Sequence, residues 1–101
     1  MSAVSAGARF TVVSLVDVPS DSVAAFQRYE DHVLPLLQRH GGRLDRRLRT
    51  PDGTTEVHVL SFASQATYRG YLGDAERERH RALLAGVPLT QRVVESLSDV
   101  P

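Results

Sequence analysis

Apolar residues follow two periods along this chain. From Arg9 to Val18 (RFTVVSLVDV) both alternating sets are mostly apolar and rich in β-branched residues. That pattern predicts a strand covered on both faces. Pro19-Ser20-Asp21 ends it, with Ser20 the expected N-cap of a helix and Asp21 suited to the positive end of its dipole. Val23, Phe26, Val33, Leu36 and Leu37 recur at three- and four-residue spacing, which predicts a helix from about Asp21 to His40. Pro35 removes a backbone donor inside it and predicts a kink, and Gly41-Gly42 is a stop signal.

The next stretch, RLDRRLRTPDGTTEVHVLSF (Arg43–Phe62), reads as a β-hairpin reversed by Pro51-Asp52-Gly53. With Thr50 opposite Thr55, Arg49 lies opposite Glu56, Arg47 opposite His58 and Asp45 opposite Leu60, all on one face. Leu44, Arg46, Leu48, Val57, Val59 and Ser61 take the other. A slip of one residue exchanges the faces. Ser64 is the expected cap of a short helix, Gln65 to Leu72, closed by Gly73. Asp74 restarts a helical stretch to Leu84 whose charges alternate in sign, the mark of a solvated face. Gly86-Val87-Pro88 breaks it, and Thr90 to Leu97 forms the last strand.

The order β-α-β-β-α-β is the ferredoxin-like split arrangement, an α+β fold with one four-stranded antiparallel sheet and both helices on one face. The helices leave the other apolar face of the first strand uncovered. A second copy of the sheet would cover it, so the pattern predicts a homodimer. Residues 1–101 read as one domain with an ordered core of about 9–97.

Composition narrows the chemistry. Twelve basic and twelve acidic side chains cancel, so no global field draws in nucleic acid or an anionic membrane. The cluster Arg39, Arg43, Arg46, Arg47 and Arg49 lacks the interleaved aromatics of a single-strand binder. The chain has no cysteine, which excludes disulfides and thiolate catalysis and fits a cytoplasmic protein. Neither a signal peptide nor a membrane span is expected at the N-terminus. No His-x-x-x-His or His-x-His pair, phosphate-cradling loop or nucleophile elbow occurs, so neither a metal nor a cofactor is expected.

Three segments carry a resemblance: YEDHVLPLLQRHGGRL (Tyr29–Leu44), EVHVLSFAS (Glu56–Ser64) and ATYRGYLGDAERERHRAL (Ala66–Leu83). Together they resemble the dimeric α+β barrel superfamily, in particular small members related to the antibiotic-biosynthesis-monooxygenase-like domains. The resemblance spans most of residues 9–97 and contains no catalytic signature. It implies a dimer with a small-molecule cavity between sheet and helices. Reactions in that superfamily include cofactor-free quinone-forming oxygenation, haem degradation, lactone isomerisation and polyketide cyclisation. The haem-degrading branch uses an Asn, a Trp and a His, and this chain has neither Trp nor Asn. No site residue is carried over by motif.

The residues themselves offer two groups. His58, beside Arg47, is a candidate general acid or base on a phenol or enolisable carbonyl, with Arg47 holding a carboxylate or a developing enolate. Asp45, Glu56 and Tyr68 are candidate substrate contacts. The same row, Arg47, Arg49, Glu56 and His58, reads also as a structural cross-strand ladder. Tyr29 and His32, one turn apart, form a secondary catalytic candidate, or a packing residue beside a surface one. Tyr68 and Tyr71 are expected at the core or a cavity mouth, His40 at a helix C-terminus and His80 in solvent. The expected function is a small cofactor-independent enzyme of secondary metabolism acting on an aromatic or polyketide-like metabolite by oxygenation, cyclisation or isomerisation. The alternative is a non-catalytic dimeric module that binds a ligand or a partner.

Overall fold

β-branched residues in unbroken succession build the central strand. In the computed structural model, which describes residues 9–101, β1 (Phe10–Asp17) lies between β3 (Thr55–Phe62) and β4 (Thr90–Leu97). The strand β2 (Arg43–Arg49) pairs with the far side of β3, so the sheet order is β2-β3-β1-β4 with every pair antiparallel. This is the ferredoxin-like order that the element sequence predicts. Helices α1 (Val23–Val33), α2 (Gln65–Leu72) and α3 (Ala75–His80) complete it.

The helices cover one face. Val12, Leu60 and Phe62 of the sheet pack there against Tyr29, Val33, Leu36, Leu37, Tyr68 and Tyr71. A smaller cluster joins Val16, Val18 and Phe26. On the opposite face Val13 pairs with Val59, and Leu15 and Leu48 flank Val57. Leu15 and Leu48 stay 39% and 41% exposed, and no helix of the described residues lies over them. None of these helices is long and apolar enough to cross a membrane.

Local chemistry explains the boundaries. Thr50 and Thr55 face each other: the Thr50 amide donates to the Thr55 carbonyl (3.0 Å), and Asp52 Oδ1 accepts from the Thr54 amide (3.1 Å). Ser64 Oγ accepts from the Thr67 amide while Thr67 Oγ1 accepts from the Ser64 amide, a reciprocal cap for α2. Asp74 Oδ1 caps α3 by accepting from the amides of Glu76 and Arg77 (2.8 and 3.2 Å).

Three expectations are corrected. The long helix is divided: a 3-10 turn over Ser20–Ser22, the α-helix, then a 3-10 segment over Leu34–His40 containing Pro35. Pro35 has no amide to donate, and the tighter winding accommodates this where a simple kink was expected. Ser20 makes no capping bond, because it is already the first residue of the 3-10 turn. On β2, Leu44 pairs with Leu60 and Arg46 with Val59, so Asp45 is the extra residue of a β-bulge. The bulge turns Leu44 toward the helices, where it packs on the core, and takes Asp45 out of the row it was expected to share with Arg47.

Gly41 and Gly42 end the 3-10 segment for different reasons. Gly41 is left-handed, with φ 66°. Gly42 instead leaves room, because a Cβ there would stand 2.6 Å from Phe62 Cε2 and 3.1 Å from Leu37 Cδ2. Gly42→Ala is therefore expected to cost about 1–3 kcal/mol by overpacking. Urea unfolding of the two proteins at equal concentration checks this, and an unchanged midpoint would contradict the packing argument.

Candidate functional site

The covered face is not filled. A cavity of about 350 Å³ lies between the sheet and the helices. Val12 and Ser14 of β1, His58 and Leu60 of β3 and Val93 of β4 form its floor. Glu30 and Val33 of α1, Tyr68 and Tyr71 of α2 and Arg77 of α3 wall it, with Arg81, Gln91 and Glu95 toward the open side. Gln91 Nε2 donates to Ser14 Oγ (2.9 Å), tying β4 to the floor. A chamber of about 50 Å³ adjoins it, shares Glu30 and Arg77, and reaches Tyr29 and Phe26.

His58 reaches the cavity from a polar row laid down by the hairpin register. Arg49 pairs with Glu56 and Arg47 with His58, and all four side chains meet at the Glu56 carboxylate. Arg47 donates to both of its oxygens (2.8 and 3.2 Å), and Arg49 Nε donates to Oε2 (2.8 Å). His58 Nε2 lies 2.8 Å from Oε1. Glu56 is fully buried, and burial alone would raise its pKa. The bonds from Arg47, His58 and Arg49 outweigh that and hold it at about 2. An ionised carboxylate only accepts, so His58 Nε2 carries the hydrogen and Nδ1 keeps the lone pair. Burial lowers the His58 pKa despite the Glu56 bond, which keeps the ring neutral near pH 7.

Glu30 has the opposite environment. It is 7% exposed, and among the described residues it has no hydrogen-bond or ion-pair partner. Burial, reinforced by the nearby charges of Glu56 and Asp31, raises its pKa to about 7 against the pull of Arg47 and Arg77. A carboxyl poised there both takes and returns a proton near neutrality. Burial also raises the Tyr29 and Tyr68 hydroxyls and pushes Tyr71 to about 12, so all three stay protonated donors.

The structure brings some of the expected residues together and separates others. His58 and Tyr68 line the cavity. Glu56 and Arg47 lie behind His58, and Arg47 also approaches Asp31 (3.8 Å). Tyr29 faces the small chamber. His32 does not share its environment: Tyr29 is buried, whereas His32 is exposed and stacks on His80, with ring centroids 4.8 Å apart. That stacking also half-covers His80, which was expected in solvent. Asp45 lies beyond the sheet from the cavity, in a surface depression with Arg9, Thr11, Arg43 and Ser61. His40 ends its 3-10 segment as expected, its Nε2 2.7 Å from Asp74 Oδ2.

No protein family's sequence profile matches the chain, and no curated protein matches it in sequence. Solved structures do. SnoaB of Streptomyces nogalater, described as a cofactor-independent oxygenase, aligns at TM-score 0.75 over 92% of this chain and 95% of its own, with 17% identity. A candidate antibiotic biosynthesis monooxygenase from Nitrosomonas europaea aligns at 0.73 over 86% of both chains, with 18% identity. Another from Bacteroides thetaiotaomicron gives 0.76 over 92% and 91%, with 10% identity. The chain has the antibiotic biosynthesis monooxygenase-like fold. At these identities the likeness is one of fold.

Within this monooxygenase-like fold, the sequence reading passed over Glu30 and Arg77. A signal existed for Glu30. Val23, Phe26, Val33 and Leu37 leave a gap in their three-four spacing that position 30 fills, so a carboxylate sits in the buried stripe. Arg77 gave none: its stretch alternates in charge, and only the seating of α3 turns it inward, 4.9 Å from the Tyr71 ring centroid. The alternating charges predicted a solvated face, and Arg77 corrects that.

The raised Glu30 pKa has a consequence for stability. The folded state holds the proton more tightly than an unfolded Glu near 4.5, so stability falls as pH rises from 4.5 through about 7. Glu30→Gln removes the ionisation, so it is expected to stabilise the protein at pH 8 by roughly 1–3 kcal/mol, with the gain vanishing below pH 4.5. Urea unfolding at pH 8 and pH 4.5 checks this; a variant less stable at pH 8 would show that Glu30 has an ionic partner in the fold.

Proposed function

We propose that this chain is a small enzyme that removes a proton from an enolisable or phenolic, aromatic or polyketide-like metabolite, with Glu30 as the base. The observation that carries the reading is a buried carboxyl, without a partner among the described residues, on the wall of a cavity sized for such a molecule. His58, its Nε2–H directed to Glu56, would accept a hydrogen bond from a substrate hydroxyl through Nδ1. Tyr68 and Tyr71 would bracket the ring and donate to its oxygens. Arg47 would act through Glu56 rather than on the substrate, fixing the carboxylate that orients His58. Tyr29 would stand behind Glu30 in the small chamber.

One proton transfer serves all three reaction types expected from the sequence. Removing the proton leaves an enolate and a neutral Glu30. The enolate can react with dioxygen, close a ring on a second carbonyl, or take the proton back at another carbon. The cavity's own side chains carry this step. A second reading, a ligand-binding module without chemistry, is favoured by the saturated Glu56 cluster, which holds His58 in place without requiring it to react.

Exchange of the α-protons of 2-tetralone in D2O, followed by NMR, separates the two. An enzyme is expected to accelerate exchange, with a rate that rises through about pH 7 to a plateau as Glu30 ionises. Glu30→Gln should lower it by at least about a hundredfold. Binding without accelerated exchange would support the module instead.

We further propose that two copies pair through the uncovered sheet face, where Val13, Leu15, Leu48, Val57 and Val59 form an apolar surface. Sedimentation should give twice the 11.1 kDa chain mass. Leu48→Asp should shift it toward the monomer, and a wild-type monomer at tens of micromolar would contradict the pairing.

A further inference from the structure

Arg77 differs from the other arginines that come in from solvent. Arg47 and Arg49 both bond Glu56, and Arg39 bonds Asp74. Arg77, by contrast, forms no ion pair among the described residues, and its Nε is enclosed without any hydrogen-bond partner. Its guanidinium lies 4.9 Å over the Tyr71 ring and donates toward the Tyr71 hydroxyl, which holds the cation at the cavity wall while Nε stays without a partner. Arg77 is half-buried and lines the cavity, so a guanidinium without a carboxylate partner there is open to an anion that enters. Arg81 stands on the same wall, and its one carboxylate contact among the described residues is a loose one with exposed Glu78 at 3.8 Å. Val12, Val33, Leu60, Tyr68 and Tyr71 give the same lining an apolar and aromatic part.

We propose that the cavity takes a ligand with a ring-sized apolar body and a carboxylate, the carboxylate seated on Arg77 with Arg81 beside it. This rests on the cavity assigned above and narrows its substrate to acids. A planar carboxylate matches the two-pronged donor geometry of a guanidinium, which a hydroxyl or ketone oxygen does not. The titratable groups facing this seat are Glu30 from α1, His58 from β3, Tyr68 and Tyr71 from α2, and Glu95 from β4. Of these, Glu30 changes charge near neutrality, and its neutral form removes an anion that would repel the ligand. Affinity therefore rises as pH falls from 8 to 6.

Calorimetric titration of the purified chain with 2-naphthoate and with 2-acetylnaphthalene, a neutral molecule of nearly the same shape, tests this. At pH 6.5 the naphthoate is expected to bind at least about tenfold more tightly. That preference should shrink at pH 8 and vanish in Arg77→Met, while Arg77→Lys keeps part of it. Equal affinities in the unmodified protein, a preference that survives in Arg77→Met, or no binding of either compound would overturn the proposal. The unmodified-protein comparison decides even if a variant fails to fold. Naphthoate preference without 2-tetralone exchange would leave the acid site standing and remove the catalytic reading. Exchange without that preference would do the reverse.

Discussion

Glu56 has no exposed surface and carries a full negative charge, and the covered face is arranged to make that tolerable. Two arginines from β2 and a histidine from its own strand saturate the carboxylate. Removing one partner would leave a buried charge short of donors, a loss of several kcal/mol for a buried pair. The cluster therefore ties β2 to β3 in one register, because a slip of one residue would carry both arginines to the other face. It also fixes which nitrogen of His58 bears hydrogen and aims the ring at the cavity.

Glu30 is the counterpart. Both carboxylates lie between the sheet and the helices, yet one sits at about 2 and the other at about 7. Burial raises both; what differs is the donors. Glu56 receives four hydrogen bonds, and Glu30 receives none from the described residues. Two acids driven apart in this way divide their roles: the ionised one is architecture and the poised one is available for proton transfer. The charge on Glu56 helps to raise Glu30, so the structural cluster also tunes the candidate base.

The two faces of the sheet thus do different work. The covered face encloses charge and a cavity, and the open face carries a Val and Leu patch with Arg46 and Arg92 beside it. Sheet alternation makes this possible, since neighbouring residues on β1 and β3 point to opposite sides. The bulge at Asp45 serves the division: it returns Leu44 to the core while Arg47 and Arg49 stay over Glu56.

The sequence by itself determined the element order, the sheet type and most of the hairpin register, because these follow from local signals. Alternation marked the strands, Ser64 and Asp74 are capping side chains, and Pro51-Asp52-Gly53 with its flanking threonines placed Arg47 opposite His58. Both alternating sets of the first strand also read as apolar in the sequence. What it missed lay beyond its local reach. The bulge depends on whether Leu44 or Asp45 fits beneath the helices, which only packing decides. The division of the first helix at Pro35 depends on how the chain is held on both sides. Glu30 was legible as a polar residue in an apolar stripe, but not its lack of donors, which is a property of everything around it. Arg77 was illegible, because an arginine in a charged helix turns inward only when a cavity lies beneath it.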